Sequence, residues 1–216
     1  MYERVIKRLL DIVLSVLALV CLSWLFLIIA VLIKIDDPGP VFFSQRRIGK
    51  DKKEFKLHKF RTMKMSTPHD MPTHLLSNPD QYITRVGKIL RKSSLDEIIQ
   101  TADIAVGNMS IIGPRPALWN QDDLIAERDK YGANSIKPGL TGWAQINGRD
   151  ELEIADKAKL DGEYVEHLKA GGWKAFVFDC KCFFGTIVSV LKHDGVVEGG
   201  TGEMQKHDAI RSEKNT

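Results

Sequence analysis

Twenty-two consecutive residues, Ile12 to Ile33, carry no charge. As a helix rising about 1.5 Å per residue they would cover about 33 Å, close to the hydrocarbon thickness of a bilayer. Leu, Ile, Val and Phe dominate the run, and each favours insertion by roughly 0.3–0.6 kcal/mol at mid-membrane. The run is too long for a signal-peptide core and lacks a small-residue cleavage site at its end. The alternative at this length is a buried core helix.

Both flanks of the run are basic. Arg4, Lys7 and Arg8 precede it; Lys34, Arg46, Arg47, Lys50, Lys52 and Lys53 follow. Positively charged flanks belong on the cytoplasmic side, and one straight span cannot put both there. A helix that enters one leaflet, bends and returns can. Ser23 lies mid-run and can assist a bend by bonding back to the backbone, although no proline or glycine enforces one. Asp11 shares a helix face with Lys7 and Arg8, which would lower the cost of a carboxylate at the interface.

The remaining chain is long enough for one domain with its own core, within a total of 216 residues. The formal net charge of +3 gives no ground for a nucleic-acid partner. Cys21, Cys180 and Cys182 are odd in number and imply no disulfide framework. Cys180 and Cys182 would point to nearly opposite sides of a helix, which argues against a metal pair.

Asp36-Asp37-Pro38-Gly39-Pro40 must end the first helix. Residues 41–43 and 55–58 read as short extended pieces with a basic loop, 45–53, between them. The prolines at 68, 72 and 79 mark 66–82 as a surface loop. Helices are expected near 83–92, from Ser94 onward, near 119–131, 153–169 and 173–192. The last has a broad apolar face that suits either the core or a headgroup layer. Residues 107–116 and 137–142 read as loops, and the tail after Gly195 is polar.

Ser94-Leu95-Asp96-Glu97 has the form of a capping box. Asp96 would then lie in the first turn, where the positive end of the helix keeps a carboxylate ionised. An ionised carboxylate there can attack phosphorus, and Glu97 beside it can hold Mg²⁺. In Gly113-Pro114-Arg115-Pro116 two prolines stiffen a loop around an arginine suited to bidentate phosphate binding. The structural alternative is an arginine in a rigid turn, paired with a surface acid. Lys56, Lys59, Arg61, Arg85, Lys88, Arg91 and Lys92 add cations, most of them explicable as a solvated face.

These motifs occur in one order with Asp37-Pro38-Gly39-Pro40-Val41-Phe42-Phe43, Lys59-Phe60-Arg61-Thr62-Met63 and the run Lys137 to Arg149. Together they resemble the bacterial sugar transferase family, the monotopic polyprenyl-phosphate phosphoglycosyltransferases, over residues 1 to about 192. The resemblance implies a mostly helical α+β fold. A reentrant membrane helix, 1–36, would precede a small cytosolic catalytic domain, 37–195, with short strands and amphipathic interfacial helices, and a polar tail, 196–216. It implies that Asp96 attacks the β-phosphate of a UDP-sugar and expels UMP, and that polyprenyl (undecaprenyl) phosphate then takes the sugar phosphate. On that mapping Glu97 holds Mg²⁺; Arg91, Arg115, Lys59 and Arg61 contact phosphates; and Gln145, Arg149, Asp161 and Tyr164 face nucleotide or sugar. The implied setting is the cytoplasmic face of a bacterial inner membrane, among membrane lipids and the later glycosyltransferases of a glycan pathway.

The chain departs from the family pattern in two places. Where the family bends its anchor at Ser-Pro, Ser23 is followed by Trp24. Asp103, Val106 and Asn108 replace an asparagine, a lysine and an acid, each a change of charge close after the Asp96–Glu97 pair. These changes motivate a second reading, a catalytically silent relative that scaffolds glycan assembly.

Overall fold

A computed structural model describes residues 1–67, 79–148 and 152–192. The chain begins with a π-helical turn, Tyr2–Lys7, that runs into helix α1, Arg8–Cys21. Helix α2, Ser23–Asp36, follows at an angle of 60°. The break falls at Leu22, whose backbone leaves helical values (φ −99°, ψ 5°). The Ser23 hydroxyl donates to Val20 O at 2.8 Å across this break, where the sequence has no proline. Among the described residues no single helix is long and apolar enough to cross a membrane; the bent pair passes that test together.

Most of this pair is unpartnered apolar surface. Val20 and Leu27 are each 67% exposed, and Leu17, Trp24, Val31 and Ile35 are exposed too. One stripe is covered: Ile29 and Ile33 pack with Phe60 and Leu90. The interface pairing expected of Asp11 does not form. Lys7 turns instead to Asp179 (2.9 Å), and Arg8 donates to the carbonyls of Ile104 and Ala105. Buried Asp11 accepts from Ile111 N at 2.9 Å, so a backbone donor offsets its charge.

Strands β1, Phe42–Ile48, and β2, Glu54–Phe60, form an antiparallel hairpin in which Phe43 faces Lys59 and Arg47 faces Phe55. Of the residues read as a basic loop, 45–48 are thus strand and 49–53 form the turn, because alternation rather than charge decides: Leu57 and Phe60 anchor the hairpin in the core. Helix α3, Arg85–Lys92, starts where Thr84 accepts from Gly87 N. Helix α4, Gln100–Val106, stops at Gly107, whose φ of 102° suits a glycine. Of the expected loop 66–82, residues 68–78 lie outside the described set, as does the tail from 193.

Both expected loops, 107–116 and 137–142, contain strand. β3, Ser110–Ile112, and β4, Gly139–Thr141, pair in parallel. A β-carbon on Gly139 or Gly142 would run into the Gly113 backbone, which explains glycine at these positions. Helices α5, Asp122–Asp129, α6, Trp143–Ile146, α7, Ile154–Ala170, and α8, Gly172–Lys192, complete the fold. α8 uses both faces. Ala175, Phe178 and Cys182 enter the core, while Trp173, Phe184 and Val188 are exposed. The architecture is α+β and mostly helical.

Asp179 on α8 ties this half of the molecule to the N-terminus. Its carboxylate accepts from Tyr2 (2.7 Å), Lys7 (2.9 Å) and Tyr164 (2.8 Å), all buried. Removing it leaves buried Tyr2 and Lys7 without their acceptor and Tyr164 with the longer bond to Ile112 O at 3.2 Å. Asp179→Ala is therefore expected to destabilise the chain by roughly 3–5 kcal/mol, read as a lowered denaturation midpoint. A loss under about 1 kcal/mol would show that the network is solvated.

Candidate active site

Five segments converge on one group of charges. β1 brings Arg47, β2 brings Lys59, α3 brings Arg91, and the loop after β3 brings Arg115. Asp96 and Glu97 lie in a 3₁₀ turn, Leu95–Glu97, between α3 and α4. The expected capping box is not formed. Ser94 has a left-handed backbone (φ 55°), and its side chain makes no cap bond. Glu97 reaches across to the hairpin rather than back to Ser94, because two cations attract it more strongly than one amide does.

Glu97 Oε1 accepts from Lys59 Nζ at 2.7 Å and from Arg115 Nη2, and Oε2 accepts from Arg115 Nη1 at 3.0 Å. The pair with Arg115 is bidentate. Burial alone would raise the pKa of Glu97, but Arg115 and Lys59 outweigh it and hold the carboxyl well below its usual range. Asp96 goes the other way. Burial first, then the Glu97 charge, push its pKa up; Lys59, Arg91 and Arg115 oppose this without cancelling it. Its ionisation is thus governed by this ring of cations against burial, not by a helix end as the sequence suggested. Among the described residues nothing hydrogen-bonds to its carboxylate. Arg47, Lys59, Arg91 and Arg115 set four positive charges against two negative ones. That excess suits an anionic ligand.

Arg47 was not among the site residues expected from sequence. Its guanidinium donates to Pro116 O and Gln45 Oε1, while Nε is buried without a partner. Burial, then Arg115, lowers its pKa to about 10, so it stays charged at neutral pH. Strand alternation could have found it: Arg47, Gln45 and Lys59 occupy odd positions of one hairpin face.

Of the expected phosphate ligands, Lys59, Arg91 and Arg115 gather at Asp96, and Arg91 also donates to Thr62 Oγ1 at 3.0 Å. Arg61 does not join them. It is 6% exposed and its guanidinium clamps Asp37, whose carboxylate also accepts from Met65 N; it secures the chain as it leaves α2. Gln145 stands beside Gly142, with Oε1 buried and unpartnered next to the Gly113 loop. Arg149 lies outside the described residues. Asp161 and Tyr164 are turned into the core, contrary to the sequence expectation. Asp161 pairs with buried Arg128, and Tyr164 donates to Asp179. Nor do the three departures touch the cluster. Asp103 is buried against His58 (Nδ1 at 2.8 Å), and Val106 and Asn108 are exposed near the end of α4.

Magnesium takes one or two carboxylates and completes its shell with water and phosphate oxygens. A carboxylate offers about four acceptor positions, and the Lys59 and Arg115 bonds fill three of those on Glu97. The free position on Oε2, with Asp96 adjacent, fits an ion that a phosphate ligand helps to hold. Among the described residues no group of three or more His, Cys, Asp or Glu side chains could hold a metal without such help.

The raised pKa of Asp96 has a consequence for stability. A carboxyl whose folded pKa exceeds its unfolded value stabilises the fold below the unfolded pKa and loses that contribution as pH rises through the folded one. Asp96→Asn should therefore melt higher than the wild type at neutral pH. The gap should close as pH falls toward the unfolded carboxylate range. Equal melting temperatures across the series would show that the cations fully compensate burial.

The model of the family described as "Bacterial sugar transferase" matches residues 2–193. The chain is similar to a UDP-glucose:undecaprenyl-phosphate glucose-1-phosphate transferase of Escherichia coli (strain K12), 39% identical over 198 residues, 86% of this chain and 40% of that protein. It is similar to the uncharacterized sugar transferase EpsL of Bacillus subtilis (strain 168), 36% identical over 193 residues, 89% of this chain and 90% of that one. A UDP-N-acetylgalactosamine-undecaprenyl-phosphate N-acetylgalactosaminephosphotransferase of Aeromonas hydrophila is 40% identical over 195 residues, 86% of this chain and 44% of the other. The chain thus spans less than half the length of the Escherichia coli and Aeromonas relatives and most of the Bacillus one. It belongs to the bacterial sugar transferase family.

Proposed function

We propose that the chain transfers a sugar 1-phosphate from a UDP-sugar to undecaprenyl phosphate, releasing UMP, by way of a phosphosugar carried on Asp96. The observation that carries this reading is a buried carboxylate without a hydrogen-bond partner among the described residues, set among the charges of Lys59, Arg91 and Arg115. The names of the Escherichia coli and Aeromonas relatives supply the reaction class.

In the first step an Asp96 oxygen attacks the β-phosphorus. The bond from that phosphorus to the bridging oxygen breaks, and UMP leaves with the oxygen and the electron pair. In the second step an oxygen of undecaprenyl phosphate attacks the same phosphorus. The acyl-phosphate bond breaks, which frees the Asp96 carboxylate and yields a lipid diphosphate sugar. Burial makes Asp96 more basic and hence a stronger nucleophile once ionised. Lys59, Arg91 and Arg115 stabilise charge on the phosphoryl oxygens. Glu97 fixes Lys59 and Arg115 in place. Mg²⁺, held by Glu97 beside Asp96, would neutralise part of the diphosphate charge.

The purified chain, given a panel of UDP-sugars, undecaprenyl phosphate and Mg²⁺, should release UMP with at least one sugar. Asp96→Asn should lower the rate by about four orders of magnitude or more, and chelation of Mg²⁺ should suppress release. With the lipid withheld, mass spectrometry should find a sugar phosphate on the peptide containing Asp96. Turnover with no such adduct would sink the covalent step. No UMP from any sugar would leave the scaffold reading standing.

We also infer that the bent pair α1–α2 is embedded in one leaflet, with both ends on the cytoplasmic face of a bacterial inner membrane. Its exposed apolar sides, its 60° bend and its two basic flanks support this. In a Cys21→Ser background, cysteines placed before Arg8 and after Asp36 should both resist a membrane-impermeant thiol reagent in intact cells. One labelled end would mean a spanning helix.

A further inference from the structure

A cavity of about 200 Å³ opens beside the first turns of the anchor. None of the residues grouped around Asp96 lines it. Arg4, Lys50 and Lys137 contribute cations to its wall, against the carboxylates of Glu3 and Asp11. Lys7 and Arg8 also border it, but their donors are engaged by Asp179 and by the carbonyls of Ile104 and Ala105. Asp11 is likewise engaged, by Ile111 N. Among the described residues Arg4, Lys50 and Lys137 make no ion pair. Burial first, then the charges of Arg8 and Lys50, hold the Lys137 ammonium below its usual range, with Asp11 opposing.

The wall holds a second kind of donor. Ser110, the first residue of β3, is 2% exposed, and its buried Oγ has no hydrogen-bond partner. A buried hydroxyl left without a partner is costly, and the great majority of buried polar groups find one. Lysine and arginine can only donate, and a hydroxyl donates as well. Three uncommitted cations and an unpartnered hydroxyl therefore call for a ligand that accepts hydrogen bonds and carries negative charge.

We propose that this cavity binds a phosphate-class anion through Arg4, Lys50, Lys137 and the Ser110 hydroxyl, separately from the Asp96 cluster. Two sources offer the same tetrahedral oxyanion. One is the headgroup of an anionic lipid packed against the foot of the apolar helix pair, where basic pockets meet headgroups. The other is free phosphate from solution. Ser110 opens the strand whose far end leads to Arg115, so the occupant would also brace the strand beneath the catalytic loop.

The test uses thermal unfolding of the full chain. In detergent, inorganic phosphate is titrated against chloride at matched ionic strength; in nanodiscs, phosphatidylcholine is compared with and without phosphatidylglycerol. At about five times its Kd a ligand should raise the midpoint by roughly 2–4 °C in a chain of this size. Lys50→Gln combined with Lys137→Gln should abolish the rise, whereas Arg115→Ala should keep it. Ser110→Ala removes an unpartnered hydroxyl and should fold whatever the double variant does; it should reduce the rise. A response to phosphate identifies a solute site, and a response confined to phosphatidylglycerol identifies a lipid site. No response in either medium overturns the proposal. So does a rise that survives in Ser110→Ala and in the double variant, or one lost only in Arg115→Ala.

Discussion

The grip of Lys59 and Arg115 on Glu97 is the interaction on which the rest of the site depends. One carboxylate joins a hairpin strand, a 3₁₀ turn and a proline-flanked loop, three segments with no regular backbone pairing in common. Buried charges of one sign repel, and Arg47, Lys59 and Arg115 would drive each other apart without an anion among them. Glu97 supplies that anion and remains ionised because they surround it. Asp96 can then stay unpaired. The division of labour between two adjacent acids follows from which of them the cations can reach with good geometry.

The division recurs in the two kinds of buried network in the chain. Asp179 with Tyr2, Lys7 and Tyr164, and Asp161 with Arg128, are closed: each carboxylate meets its donors within the protein. They hold helices together. The Asp96 cluster and the cationic cavity are open, with donors or acceptors that the described residues leave unmatched. A residue's type and burial do not tell the two kinds apart; the count of satisfied positions does.

That distinction sets how much could be read from the sequence. The bent helix pair was legible because an uncharged run between two basic flanks leaves few geometries, and Ser23 lies at mid-run, where the break falls. The order of the motifs singled out Asp96, Glu97, Lys59, Arg91 and Arg115, and the structure brings these five together. Asp161, Tyr164 and Arg61 came from the same motifs yet lie apart from that cluster, because motif membership marks positions that matter without saying whether they matter for packing or for ligand. Arg47 was missed because a run of basic residues looks like a solvated loop until the strand register is known. The strand pair β3–β4 was hidden by glycine and proline, which signal turns but here permit two backbones to touch.

The way the first helix is fastened bears on how this protein can be handled in water. Arg8 closes the end of α4, Asp11 completes the edge of β3, and Tyr2 and Lys7 hold α8. The hydrophobic appendage is thus also a wedge in the domain, and cutting it away would leave donors and acceptors unmatched across three elements at once. A water-soluble form is better sought by replacing the outward apolar positions of α1 and α2, such as Leu17, Val20, Leu27 and Val31, with polar residues while the inward ones stay.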